Sequence, residues 1–215
     1  VSLDLSVIMP SFLGRYEGAA SDREDKLRRA VQSFIDSEGE YDAELVLVGD
    51  GCESTKAFWS RLATEHGADP FWRQLETAPG RSIQYIELPK QPQFSGAVRN
   101  AGLLAAKAPV IAYLDSDDRV LPDHFSRVLA GFDADVDWVL FDDLVWPDKW
   151  RQTRLEYGAC GTSTVAHRAE LGATWPSGYG HDYEFILTMS MLSPRWKHIG
   201  RAGYVVCHIP REVDV

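Results

Sequence analysis

The residues best placed to do chemistry are Asp115, Ser116, Asp117 and Asp118, which follow the apolar run Val110, Ile111, Ala112, Tyr113 and Leu114 without a break. Such a run suits a strand buried on both faces of a sheet. Three carboxylates at its end repel one another and lose solvation unless a cation or hydrogen-bond donors compensate. In open α/β sheets the carboxyl ends of strands are where ligands bind. Pro122 suits the first turn of a following helix, so the acidic residues fall on a short strand-to-helix loop. Taken alone, the loop is a metal site or a solvated turn in which Asp118 or Asp123 caps the helix; the buried strand in front favours the metal.

Several elements must position that loop. Leu5–Met9 is a buried-strand candidate running into Pro10 and Ser11, and Glu44–Val48 is a second, running into Gly49, Asp50, Gly51 and Cys52. Ser82–Leu88 gives a third, and Trp138–Phe141 leads into Asp142 and Asp143, read here as a solvated strand end or a support behind the site. Between them the helical period places a helix over Asp22–Ser37, with Leu27, Ala30, Val31, Phe34 and Ile35 inward. A second runs from an N-cap at Ser54 to about His66, with Phe58, Leu62 and Ala63 inward. A third, capped by Ser95, has the small-residue stripe Val98, Ala101, Gly102 and Ala105, which suggests close approach to the sheet. Another helix spans Pro122 to about Ala130. Residues 67–80 read as an irregular excursion. Strand and helix in alternation predict a parallel sheet with right-handed crossovers, which brings the polar strand ends to one edge. From Leu144 the chain is rich in Trp, Gly and Pro, with strand-like runs at Thr162–Ala166 and Tyr204–Ile209 and one helix around Asp182–Met191, carrying Phe185, Ile186 and Met189.

At 215 residues the chain is expected to form a single domain over 1–215, with a nucleotide-binding half over about 1–120 and an irregular, aromatic half over about 121–215, which the resemblance described below makes the acceptor half. A net charge of −10 disfavours a sequence-independent grip on nucleic acid or anionic lipid, so an anionic ligand needs a local cation. The three cysteines, Cys52, Cys160 and Cys207, have neither zinc nor disulfide spacing and point to a reducing, cytoplasmic compartment. No apolar run reaches the roughly 18 residues of a membrane span. Hard oxygen ligands select Mg²⁺ or Mn²⁺ over zinc.

The order SVIMPSF, ELVLVGDGC, SGAVRNAGLLAAK, VIAYLDSDD and GYGHDYEF resembles the family 2 glycosyltransferases of the GT-A fold. The resemblance runs from Ser6 to about His208. It implies an α/β architecture: a Rossmann-like, mixed but mostly parallel central sheet flanked by helices, with an irregular acceptor-side C-terminal half. It also implies transfer of a sugar from a nucleoside-diphosphate sugar, commonly uridine-linked, to an acceptor hydroxyl, carbohydrate or other, with Mn²⁺ or Mg²⁺ as cofactor. Carried over by position, Pro10 and Ser11 line the nucleotide pocket and Asp50 reads the nucleobase. Arg99 and Asn100 lie near the sugar donor, as do Asp115, nearer the ribose, and Ser116 beside it. Asp117 is the direct metal ligand, and His208 is a further one. Gly161 and Thr162 border donor and acceptor, and Asp182 is the catalytic base of an inverting displacement. The sequence departs from the family pattern at Ser11-Phe12-Leu13, at Gly49-Asp50-Gly51-Cys52, which keeps one acid of a pair, and at His181-Asp182, where Glu-Asp is usual. Trp146, Trp150 and Trp175 are candidates for stacking on a sugar acceptor or for the core. Two rival readings are a non-catalytic binding module of the same fold and, remotely, a phosphatase of the haloacid dehalogenase type. Against the phosphatase, the acidic motif is mid-chain and Arg119 stands two positions after Asp117.

Overall fold

The structure, a computed structural model, describes residues 2–16, 19–64, 78–91 and 94–207, and their side chains apart from those of 62–64. The chain runs β1 (Leu5–Ser11), α1 (Arg23–Ile35), β2 (Ala43–Asp50), α2 (Glu53–Thr64), β3 (Arg81–Leu88), α3 (Gly96–Ala105), β4 (Val110–Tyr113) and β5 (Arg119–Val120). It continues with α4 (His124–Ala130), β6 (Trp138–Val145), β7 (Lys149–Arg151), β8 (Val165–Arg168), α5 (His181–Leu192) and β9 (Trp196–Val206).

These strands form one nine-stranded sheet in the order β3-β2-β1-β4-β8-β6-β9-β5, with β7 paired to β6. The strands β3, β2, β1 and β4 are mutually parallel, as the apolar runs and crossover helices require. The strand β8 is antiparallel to both neighbours, so β6 regains the direction of β4, and β9 runs parallel to β6. The carboxyl ends of β1, β2, β4, β6 and β9 therefore share one edge.

The core follows the predicted stripes. Leu27, Ala30, Val31, Phe34 and Ile35 of α1 are buried against β1, β2 and β4, and Phe185, Ile186 and Met189 of α5 pack with Trp138 and Trp175 on another core cluster. The small stripe of α3 has the expected purpose. A Cβ on Gly102 would lie 2.5 Å from Cγ2 of Ile8, so only glycine lets this helix rest on β1.

In the second half the strand expected at Trp138–Phe141 and the two later strand-like runs fall in β6, β8 and β9, which continue the sheet. The strand β9 begins at Trp196, well before Tyr204; its first residues are solvent-facing and lack the apolar run that marks its end. Residues 162–164 form a 3₁₀ turn ahead of β8. Arg119–Val120, expected as loop, pairs with Tyr204 and Val205. Ser54 lies inside α2, and Ser95 makes no cap bond. Most of the 67–80 excursion, the inward Leu62 and Ala63, the end of the Tyr204–Ile209 run and His208 lie outside the described residues and side chains.

Candidate active site

Along the shared edge opens a cavity of about 580 Å³ lined by Pro10, Ser11, Asp50, Lys90, Phe94, Arg99, Asp115, Ser116 and Asp117, with Phe12, Tyr16 and Arg23 on its other wall. Three strand ends thus meet as the topology demands. Its formal charges balance, with Arg23, Lys90 and Arg99 against Asp50, Asp115 and Asp117.

The turn after β2 is shaped by Gly51, whose φ is +56° and whose missing Cβ would otherwise lie 2.1 Å from the Lys90 backbone nitrogen. Only glycine tolerates both conditions. The close approach lets Asp50 Oδ1 accept the Gln91 amide at 2.7 Å, while Oδ2 pairs with Lys90. The Lys90 ammonium also lies 4.5 Å from the centroid of the Phe12 ring, and the Phe12 and Tyr16 rings are stacked. Asp50 therefore meets the cavity as half of an ion pair.

Arg99 is the hub of the site. Its side chain is 4% exposed, and it donates from Nη2 to Asp115 Oδ1 at 2.6 Å. Nη1 donates to Ser95 Oγ and lies 3.0 Å from His181 Nε2. The guanidinium carbon sits 4.7 Å from the Trp175 ring centroid. Burial opposes its charge, but Asp115 and Asp182 more than compensate and hold its pKa above the ordinary value. Burial pushes the Asp115 carboxyl above its usual range despite Arg99, and Asp117 and Asp182 add to the push.

Asp182, in the first turn of α5, accepts from Thr162 Oγ1 at 3.0 Å through Oδ1, which also lies 2.9 Å from His181 Nε2. Its side chain is 38% exposed. Burial would raise its pKa, but the His181 contact, the Arg99 charge and the Thr162 bond outweigh burial and hold it below the ordinary value. Asp182 is thus ionised at neutral pH. His181 Nδ1 lies 3.0 Å from the Gly178 carbonyl, which can only accept, so Nδ1 carries a proton. Nε2 then accepts from Arg99 when the ring is neutral and donates to Asp182 when it is protonated. Gly161 sits against the same carboxylate, with its Cβ position 3.5 Å from Asp182 Oδ2.

Asn100, Asp118, Lys26 and Asp143 have partners that the sequence did not name. Asn100 turns from the cavity and clamps the Trp175 backbone, donating to its carbonyl at 2.9 Å and accepting from its amide at 2.8 Å. Asp118 does not cap a helix; it is 4% exposed and accepts from Tyr204 Oη at 2.9 Å and the Cys207 amide at 2.6 Å. Buried Lys26 donates to the Cys207 carbonyl at 2.9 Å, so that residue is held through both its backbone groups. Asp143, read as a solvated strand end or a support behind the site, is the support: it is fully buried, pairs with Arg151 and accepts from the Ser163 hydroxyl at 2.7 Å. It braces the turn that carries Thr162. Arg151 faces Asp143 across the β6–β7 pairing, while Ser163 stands 20 residues further along the chain.

Of the tryptophans, Trp175 is core, stacked on Phe185, while Trp146 and Trp150 are covered by Arg119 and Arg201. All three cysteines are free thiols. Among the described residues no group of three or more His, Cys, Asp or Glu side chains could hold a metal, and no helix is long and apolar enough to cross a membrane. The Asp117 carboxylate lines the cavity and has no hydrogen-bond or ion-pair partner among the described residues. An unpartnered carboxylate in the cavity lining offers hard oxygen of the kind a divalent cation takes.

Comparison with known proteins gives concordant results. The family model described as glycosyl transferase family 2 matches residues 6–185. The succinoglycan biosynthesis protein ExoO of Rhizobium meliloti (strain 1021) is 31% identical over 127 residues, which is 59% of this chain and 31% of that protein. S. aureus TarS 1-349 in complex with UDP-GlcNAc is similar with a TM-score of 0.69 at 16% identity, covering 99% of this chain and 60% of that one. The same protein in complex with UDP gives 0.68 at 14% identity over 95% of this chain and 60% of that one. The chain spans about a third of the curated relative and less than two thirds of the solved chains. At these identities the structural likeness establishes the fold, a GT-A-type mixed α/β sheet. With the family model matching over most of its length, the chain belongs to glycosyl transferase family 2.

Proposed function

We propose that the chain transfers a sugar from a uridine-diphosphate sugar to an acceptor hydroxyl with inversion, using Asp182 as general base. The observation that carries this reading is the position of Arg99. One buried guanidinium contacts Asp115 on the cavity side and His181, the neighbour of Asp182, on the other. A cavity for the leaving group and an ionised carboxylate for the nucleophile therefore adjoin.

In this reading Asp182 takes the acceptor proton as the acceptor oxygen forms a bond to the anomeric carbon. The bond from that carbon to the diphosphate oxygen breaks, and its electrons leave with the diphosphate. General-base help of this kind is worth about 10²–10⁴ in rate. Oδ1 is occupied by Thr162 and His181, which leaves Oδ2 for the acceptor. Asp117 is the residue we assign to Mn²⁺ or Mg²⁺, with Asp115 and Ser116 beside the donor. When bound, the cation supplies positive charge to the departing diphosphate. It also tips the balanced lining toward positive. Pro10, Ser11 and the Asp50–Lys90 pair receive the nucleotide, and the UDP bound by the TarS chain supports a uridine donor. Gly161 and Thr162 border the base. Asn100 contributes through Trp175.

A thermal-shift screen of nucleotide sugars with and without Mn²⁺ tests the reading. Saturating donor at 100 times its Kd should add about 2.7 kcal/mol of stability. No shift with any nucleoside diphosphate sugar in either condition would sink it.

A further inference from the structure

Among the exposed large apolar side chains of the described residues, Tyr16, Leu104 and Trp196 stand apart, and the remaining six divide by chemistry between the two ends of α5. Phe94, Tyr157 and Tyr179 are 44%, 65% and 80% exposed, and all three stand at its N-terminal end. Phe94 lies 6.1 Å from the Tyr179 ring and 6.0 Å from His181, centroid to centroid. Tyr157 lies 5.7 Å from the Tyr183 ring and rests against Gly180, whose Cβ position is 3.3 Å from it. Two aromatic pairs, supplied partly by separate loops, therefore adjoin the His181–Asp182 step. The exposed aliphatics Leu187, Met191 and Leu192 occupy the other end of the same helix.

Phe94 has a second peculiarity. Its φ is +75°, and it is the one non-glycine residue with positive φ among the described residues. A bulky residue in that region is strained, and such strain gathers at ligand clamps. The same side chain lines the cavity, so it stands between the cavity and the base.

We propose that Phe94, Tyr179 and Tyr157 form a stacking platform for a neutral sugar ring of the acceptor, which makes the acceptor a carbohydrate. The inference rests on Asp182 being the base of a sugar transfer. An aromatic face suits the C–H face of a pyranose. The surrounding Thr162, His181, Asp182 and tyrosine hydroxyls supply partners for ring hydroxyls. A lipid would instead call for contiguous aliphatic surface, which lies at the far end of α5.

The test is saturation-transfer difference NMR on the protein with UDP and Mn²⁺, using gluco-, galacto- and N-acetylglucosamine-based tetrasaccharides as probes. Transfer to sugar ring C–H protons is expected from at least one probe. Tyr179→Ala and Tyr157→Ala should weaken it about three- to tenfold, and Tyr179→Phe should restore it. Met191→Ser, at the aliphatic end, should leave it unchanged. No signal from any probe, or an undiminished signal in both alanine variants, overturns the platform. UDP affinity measured on the same samples separates the two readings: failure of the donor reading abolishes it in the wild type, and failure of the platform alone leaves it intact.

Discussion

Arg99 and Asp115 meet at 2.6 Å in the wall of the cavity, and the same guanidinium reaches His181 on its far side. The pair is a positional device as much as an ion pair, because two elements from opposite halves of the chain are registered against one planar group. Its geometry shows why lysine is a poor replacement: an ammonium has no fork to serve both partners.

Arg99→Met should destabilise the protein by about 3 kcal/mol, the lower end for breaking a buried pair, since Asp115 remains 28% exposed. Urea denaturation read at two wavelengths checks this. Arg99→Lys should recover part of the stability but little of the transfer rate. A lysine variant with the full wild-type rate would contradict the two-sided role.

Asp117→Ala should abolish the Mn²⁺-dependent part of donor binding while leaving the metal-free thermal midpoint within a degree or two. The carboxylate has no partner among the described residues, so its loss costs the fold little. Calorimetry with UDP, with and without Mn²⁺, separates the outcomes.

Asp182→Asn should lower transfer by about 10²–10⁴ and leave UDP affinity close to wild type. Turnover that survives the substitution would remove the base from the mechanism. Because the carboxyl is held below its ordinary value, it stays ionised throughout the neutral range.

His124 and His167 set an acid limit on stability. Burial pushes both down to about 4 from an ordinary value of 6.5. The unfolded chain therefore binds more protons than the native state between those values, and stability falls as pH drops through that window. Each histidine contributes on the order of 3 kcal/mol, fully developed only near pH 4. His124→Phe should flatten the loss of thermal midpoint between pH 6.5 and pH 4, as scanning calorimetry at stepped pH would record.

Gly96→Ala should depress transfer through the backbone. A Cβ there would lie 2.1 Å from the Pro176 carbonyl oxygen, in the segment that Asn100 clamps at Trp175. Overpacking of this kind costs about 1–3 kcal/mol. The kcat should fall more than UDP affinity, which steady-state kinetics and calorimetry together would show.

Much of this site was legible because strand ends announce themselves. Val110–Leu114 running into acids, and Leu5–Met9 running into Pro10 and Ser11, each combine an apolar run with a polar stop, and the parallel sheet brings them together. Arg99 could be placed near the sugar donor but not recognised as a hub, since its partners Ser95, Asp115 and His181 converge only in space. Asp118 was expected as a helix cap and Asp143 as a solvated end or a support, because a sequence shows charge without showing partners. The outer half of β9 was missed because Trp196, Lys197 and His198 face solvent and carry no two-residue alternation of apolar and polar. Of the two roles open to the tryptophans, Trp175 takes the core one, and the exposed rings beside Asp182 are Phe94, Tyr157 and Tyr179.

The bonds of Asp118 also govern the order in which the site comes into being. Its two partners, Tyr204 and Cys207, stand 86 and 89 residues further along the chain. Pairing over such distances is entropically late. While the chain emerges from the ribosome, β1, β2 and β4 can assemble with their crossover helices, but this carboxylate has nothing to accept from until β9 has been made and docked. The aspartate loop is therefore locked by the last strand of the described structure. A nascent chain that stops short of Trp196 keeps the acidic motif and lacks the geometry to use it.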